Sequence, residues 1–141
     1  MSKFGADRYS NAALLIARFM LVLLFLIFGW QKLTGFSGTE AYMTQVGAPL
    51  PWLATLIAIV MEFFVGIVLL LGVAVRPLAL LMILYTFGTA LIGHPYWALA
   101  GMDRFEAMIG FYKNISIMGG FLLLYVTGAG RYSVDGLLQH A

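Results

Sequence analysis

The chain contains no cysteine, which excludes disulfides, thiol redox chemistry and cysteine-ligated metal clusters. Charge is scarce as well: 10% of the 141 residues are Asp, Glu, Lys or Arg, against roughly 25% in ordinary soluble domains. The net charge of +2 is spread thinly, with no basic stripe, so nucleic acid is not expected as a partner. His94 has no second histidine near it at metal-ligand spacing, and no metal or haem ligand set can be read from the chain. There is no repeat, low-complexity tract or linker, so residues 1–141 are read as a single domain. A secretory signal is also absent from this reading, because the first apolar stretch runs past Arg18 to Trp30 with no small-residue cleavage pattern.

What the chain has in abundance is apolar surface. Its hydrophobic fraction is 62%, more than a water-soluble domain of this size can bury, because small domains have too little interior. A bilayer is the physical alternative. Four apolar segments, about 12–33, 51–75, 77–93 and 105–127, are long enough to cross a hydrocarbon core of ~30 Å at ~1.5 Å per residue. The expected fold is therefore all-α: an integral membrane four-helix bundle, with a polar tail over residues 1–11. Arg76 and Pro77 make the junction between the second and third segments a tight helical hairpin, since proline suits a first helical turn. In the first long connection Thr39 is expected to cap a short interfacial helix that Gly47 ends, its apolar side formed by Tyr42, Met43 and Val46. Asp103 followed by Glu106 resembles a capping pattern for the fourth span. The glycines after Thr127 stop that span, leaving a tail with room for one more interfacial turn.

Basic residues set the expected orientation. Lys3, Arg8, Arg76 and Arg131 share one side, and Lys32 and Arg104 the other. The bias predicts a multi-pass membrane protein with both termini in the cytoplasm.

Glu62 is the only charge in the 51–75 segment, near its middle, where a lone carboxylate is costly. Helical phase places Arg18, Phe25, Gly29 and Lys32 on one face of the first span. Thr55, Glu62, Gly66, Leu69 and Val73 share a face of the second, and Glu106, Lys113, Ile117, Gly120 and Leu124 one of the fourth. Each charged face carries a glycine, which lets helix backbones approach in a membrane. Counting depth from the span ends makes Lys113 the expected partner of Glu62, with Arg18 nearer the inner surface, free to snorkel there. Lys32, Glu62, His94, Lys113 and Asn114 are the expected ligand-binding residues of a pocket in the outer half of the bundle. Gln31, Arg18 and Trp97 are secondary polar groups, and Phe25, Phe28 and Trp30 the apolar walls. A buried ion pair can equally serve only to fix helix register, and a histidine at a helix C-terminus can be a plain interfacial residue.

The runs IARFMLVLLFLIFGWQKLTGF (16–36), YMTQVGAPLP (42–51), MEFFVGIVLLLGVAVRPLAL (61–80), GTALIGHPYW (88–97) and KNISIMGGFLLLYVTGAGRYSVD (113–135) resemble the DoxX family, particularly its small bacterial inner-membrane members. Arg18, Gly29, Lys32, Glu62, Gly66, Arg76, Lys113, Asn114, Gly128, Gly130 and Asp135 match typical positions of that family. Ala129 departs from it, where relatives often have proline. The resemblance implies a four-helix membrane bundle and a link to redox metabolism, because the family is named after a subunit of a thiosulfate:quinone oxidoreductase.

Three functions are compatible with these residues. One is a quinone- or lipid-associated accessory subunit of a membrane redox system, with quinone as the cofactor and a redox protein as partner. No cofactor fingerprint is present, so electrons would have to come from that partner. The second is a small transporter or metabolite-binding protein; four spans without an inverted repeat make a poor alternating-access machine unless a homodimer supplies the other half. The third is a purely structural membrane partner.

Overall fold

The computed structural model describes residues 6–139, with side chains from Tyr9 onward. Lys3, assigned above to the cytoplasmic side, lies outside the described residues, as do the first part of the polar tail and residues 140–141. Helix α1 (Ala6–Thr34) begins six residues before the expected start of the first span. Nothing between Ala6 and Phe28 breaks a helix, since the stretch holds neither glycine nor proline, so residues 6–11 are helical rather than a loose tail.

A short helix α2 (Phe36–Gln45) follows as expected, but Gly35 occupies its N-cap and Thr39 lies inside it, its hydroxyl donating to the Gly35 carbonyl. Gly47, at φ +76°, ends the helix in the left-handed region that glycine adopts without penalty.

Helix α3 (Pro51–Leu71) opens with Pro51 in its first turn. It widens into a π-helical turn at Val60–Phe64, the turn that carries Glu62. Such turns occur mostly as single insertions within α-helices. The helix stops four residues before the expected Val75, because Gly72 turns left-handed at φ +80° and its N–H closes onto the Val68 and Leu69 carbonyls. The hairpin turn is therefore Gly72–Ala74, not Arg76. Helix α4 (Val75–Gly93) follows with Pro77 in its first turn, and leads through a 3-10 turn (Tyr96–Ala98) into α5 (Gly101–Thr127). The expected Asp103–Glu106 cap is not used: α5 starts earlier, at Gly101, with Ala100 at its N-cap and no side-chain cap. A last helix, α6 (Val134–Gln139), docks back on the bundle.

Among the described residues there is no strand, and α1, α3, α4 and α5 are long and apolar enough to cross a membrane. The four spans form two antiparallel pairs: α1 packs chiefly on α3, and α4 on α5. The pairs meet at the end of the bundle nearer the termini. There Val22, Phe25, Leu69, Val75, Met82, Phe121 and Leu124 form the core, and the Phe25 and Phe121 rings lie 5.7 Å apart. Gly120 lets α5 close on Leu21 of α1.

That end is locked by polar groups. Arg18, 1% exposed, donates from Nη1 to the Ala129 carbonyl (2.6 Å), from Nη2 to that of Tyr132 (2.8 Å) and from Nε to that of Leu70 (3.2 Å). It neither snorkels nor faces a ligand: it ties the last turn of α3 to the segment after α5, satisfying carbonyls that helix ends leave orphaned. Asp135 in turn accepts from the backbone N–H groups of Ala74 and Val75 at 2.9 and 3.0 Å, capping α4 from the far end of the chain, where a carboxylate also complements the helix dipole. The Arg131 N–H donates to the Asn11 side chain at 2.8 Å, so both described chain ends lie at the same end of the bundle.

Candidate functional site

At the other end the helices surround a space that many of the residues facing it are too small to fill. Ala54 and Ala58 of α3, Gly88, Thr89 and Gly93 of α4, and Gly35 and Gly38 flanking and within α2 replace the bulky residues of the core. The result is a cavity of about 960 Å³, at the upper end of the ~300–1,000 Å³ usual for small-molecule sites. Ile57, Leu84 and Ile92 line it and are also exposed, so it reaches the lipid-facing surface between α3 and α4, with α2 over it.

One crossing positions its polar wall. Gly29 of α1 meets α3 at the π turn so closely that a Cβ there would lie 2.7 Å from the Phe63 nitrogen. Lys32, nearly one turn further along α1, is thereby set beside Glu62. Its ammonium donates to Glu62 Oε1 at 2.9 Å, and the Tyr85 hydroxyl of α4 donates to Oε2 at 2.5 Å. Both carboxylate oxygens are engaged, with 8% of the Glu62 side chain and 23% of Lys32 exposed. The ammonium also lies 5.8 Å from the Phe28 ring centre. Further along α4, the Asn114 amide donates to Thr89 Oγ1 at 3.3 Å, and the Thr89 hydroxyl donates in turn to the Thr86 carbonyl at 2.9 Å. The His94 ring packs flat on α5 where Gly110 leaves space: a Cβ at Gly110 would lie 2.5 Å from Nδ1.

Lys32, Glu62, His94, Lys113, Asn114 and Gln31 all line this cavity. Arg18 does not; it serves the lock at the other end. Trp97 does not either: it is 52% exposed and stacks with Tyr96 and Phe111 at the α4–α5 connection. Of the expected apolar walls, Phe25 and Phe28 are present, whereas Trp30 turns outward onto Phe63 of α3. Gly66 makes room for Leu26 rather than for a ligand.

The expected pairing of Glu62 with Lys113 is corrected to Lys32 and Tyr85. Depth was not at fault for Lys113, which lies 12 residues into α5, about 18 Å along its axis, as Glu62 lies 11 residues into α3. Azimuth decided against it: the buried stripe of α5 runs through Ala107, Gly110, Asn114, Phe121 and Leu124, one residue round from the expected face. Lys32 lies deeper than its place at the end of the first apolar segment implies, because Gly29 crosses α3 at Phe63, again about 18 Å below the start of that helix. Tyr85 was missed, yet it was legible. Glu62 precedes the end of α3 at Leu71 by nine residues and Tyr85 follows the start of α4 at Val75 by ten, so an antiparallel hairpin sets them level.

Among the described residues no three of His, Asp and Glu gather as a metal site would require. What the wall can do is hold and donate protons at fixed positions and offer ammonium and amide donors to a polar head, while the rest of the cavity accepts an apolar body.

Sequence comparison agrees with this architecture. The chain is 53% identical over 132 residues to the inner membrane protein YphA of Escherichia coli (strain K12), covering 94% of this chain and 93% of that protein. It is 38% identical over 135 residues to the inner membrane protein YqjF of the same organism, covering 94% and 96%. No solved structure matches it. The DoxX family pattern matches residues 13–95, which hold most of α1 and all of α2 to α4, and with them Lys32, Glu62, Tyr85 and His94. With four spanning helices and relatives in the inner membrane along nearly its whole length, this chain is an integral inner-membrane protein and belongs to the DoxX family.

Proposed function

We propose that this chain holds a lipid-soluble amphiphile in the cavity between its helix pairs and, in the finer form of the reading, a quinone, as an accessory subunit of a membrane redox system. The observation that carries it is a largely apolar cavity, reaching the lipid, that ends on Lys32, Glu62, Tyr85, His94, Lys113 and Asn114. The residues suit a quinone. Phe25 and Phe28 flank a flat ring, Lys113 and the second N–H of the Asn114 amide donate to carbonyl oxygens, and Tyr85 and Glu62 hold a proton within the same wall. A bound quinone supplies a carrier of two electrons and two protons, the electrons coming from a partner protein.

One observation favours the structural alternative: Lys32, Glu62 and Tyr85 satisfy one another without a ligand. Gly88 separates the two readings. It lines the cavity, and a Cβ there meets nothing within 4 Å, so the side chain of Gly88→Leu starts into open space. Quinone extracted from purified protein should be near stoichiometric in the wild type and fall about tenfold or more in Gly88→Leu, with unchanged thermal unfolding. No quinone in the wild type, or as much in Gly88→Leu, sinks the quinone assignment.

The reading includes an orientation with both termini in the cytoplasm. It rests on Arg76 and Arg131 at the end of the bundle that holds the described chain ends, against Arg104 toward the other. Reporter fusions near Ala41 and Met102 should be active outside, and fusions at Arg76 and after Gln139 inside; the reverse pattern overturns it.

A further inference from the structure

We infer that the ligand of this cavity carries an ionised acidic head group, a carboxylate or phosphate on an apolar tail, with Lys113 as its counter-ion. The inference rests on the cavity being a ligand site, as proposed above, but not on that ligand being a quinone.

The case is a charge count. The formal charges lining the cavity, with histidine neutral, are those of Lys32, Glu62 and Lys113. Lys32 and Glu62 cancel at 2.9 Å, and the second carboxylate oxygen is taken by Tyr85, so Glu62 has nothing left for Lys113. Among the described residues the Lys113 ammonium has neither a hydrogen bond nor an ion pair. The carboxylates on its own helix, Asp103 and Glu106, lie about 15 and 10 Å away along the axis, too far to pair. His94 approaches it from α4 but supplies no negative charge, and the Asn114 amide beside it is a donor already turned to Thr89.

The cavity thus keeps one uncompensated cation near the middle of a 27-residue spanning helix. Ammonium groups at such depth are costly, and in membrane proteins they pair or mark a ligand pathway. An anion removes the cost where a neutral head does not. Ile57, Leu84 and Ile92 supply the complementary half, an apolar path from the cavity to the lipid along which a tail can lie. An uncharged quinone would satisfy the donors and leave the ammonium unpaired. Within the quinone class the inference therefore selects members that bear an acidic group.

The test compares tail-matched probes on the full chain in nanodiscs at mildly alkaline pH: hexadecanoic acid, its methyl ester and hexadecyl phosphate. Wild type should bind at least one of the acids about tenfold or more tighter than the ester. Lys113→Gln should abolish that preference, and Lys113→Arg should keep it. Lys113 is exposed, so neither substitution disturbs the core. Acid and ester binding alike in wild type, or a preference that survives Lys113→Gln, overturns the inference while the ester's binding upholds the cavity as a ligand site. Failure of every tailed probe overturns both. Displacement of the acids by millimolar acetate or inorganic phosphate would assign the site to a free anion and sink the amphiphile.

Discussion

Glu62→Gln should destabilise the protein by about 3 kcal/mol, the low end of the ~3–5 kcal/mol that breaking a buried ion pair costs, because 23% of the Lys32 side chain stays exposed. The loss comes from leaving the Lys32 ammonium without its counter-charge rather than from the pair's net worth. Lys32→Met should cost a similar amount by stranding the carboxylate, relieved in part by the Tyr85 hydroxyl that still donates to it. The double variant, with neither charge, should recover much of both losses. Reversible unfolding in mixed detergent micelles measures all three. Lys113→Met is the contrast: combined with Glu62→Gln it should add its own small effect and nothing more, since sites without a shared contact behave independently. Additive losses for Lys32 with Glu62, or a strong coupling of Glu62 to Lys113, would contradict the geometry of the cavity wall.

The second large effect is expected from the smallest change, Gly29→Ala. The added methyl would sit 2.7 Å from the Phe63 nitrogen and 3.0 Å from the Glu62 carbonyl carbon. Both are backbone of the π turn and cannot rotate away, so α1 and α3 must separate. Overpacking costs typically ~1–3 kcal/mol, and a backbone collision belongs at the top of that range. The separation also draws Lys32 from Glu62, so in the Gly29→Ala background the coupling between those two residues should shrink. Gly66→Ala provides the control. Its methyl meets the tip of the Leu26 side chain at 3.0 Å, which can turn aside, and it should cost clearly less. Equal unfolding midpoints for the two variants would show that the crossing at Gly29 is not the constraint described.

Both effects arise where a glycine, a π turn and three polar side chains coincide, and they show how far local pattern reaches. The four spans, the short helix before Pro51, and the small residues that let helices approach were legible from composition, hydropathy and spacing. Boundaries were less so, because hydropathy reports where lipid begins and not where hydrogen bonding ends. Helix α1 continues outward to Ala6 through polar residues, and α3 stops early at Gly72 although the apolar run goes on. The polar residues of the cavity wall were also legible as a set, since ionisable groups stand out in an apolar chain: Lys32, Glu62, His94, Lys113 and Asn114 lie around one space.

By itself, then, the sequence determined that this chain lives in a membrane as four helices, which polar residues it carries into the bilayer, and the family to which it belongs. Those properties follow from counts and short-range periodicity, which need no knowledge of neighbours. The tertiary structure alone decided which of those residues meet. The axial offset between α1 and α3, fixed by a single close crossing at Gly29, brought Lys32 rather than Lys113 to Glu62. A rotation of α5 by about one residue buried Asn114 and left Lys113 facing open space. The antiparallel return of α4 supplied Tyr85, and Arg18 was drawn to carbonyls more than a hundred residues away. The physical reason is that a helix's own sequence fixes the relative angles and heights of its side chains, while its slide and rotation against the next helix are set by packing between surfaces remote in the chain.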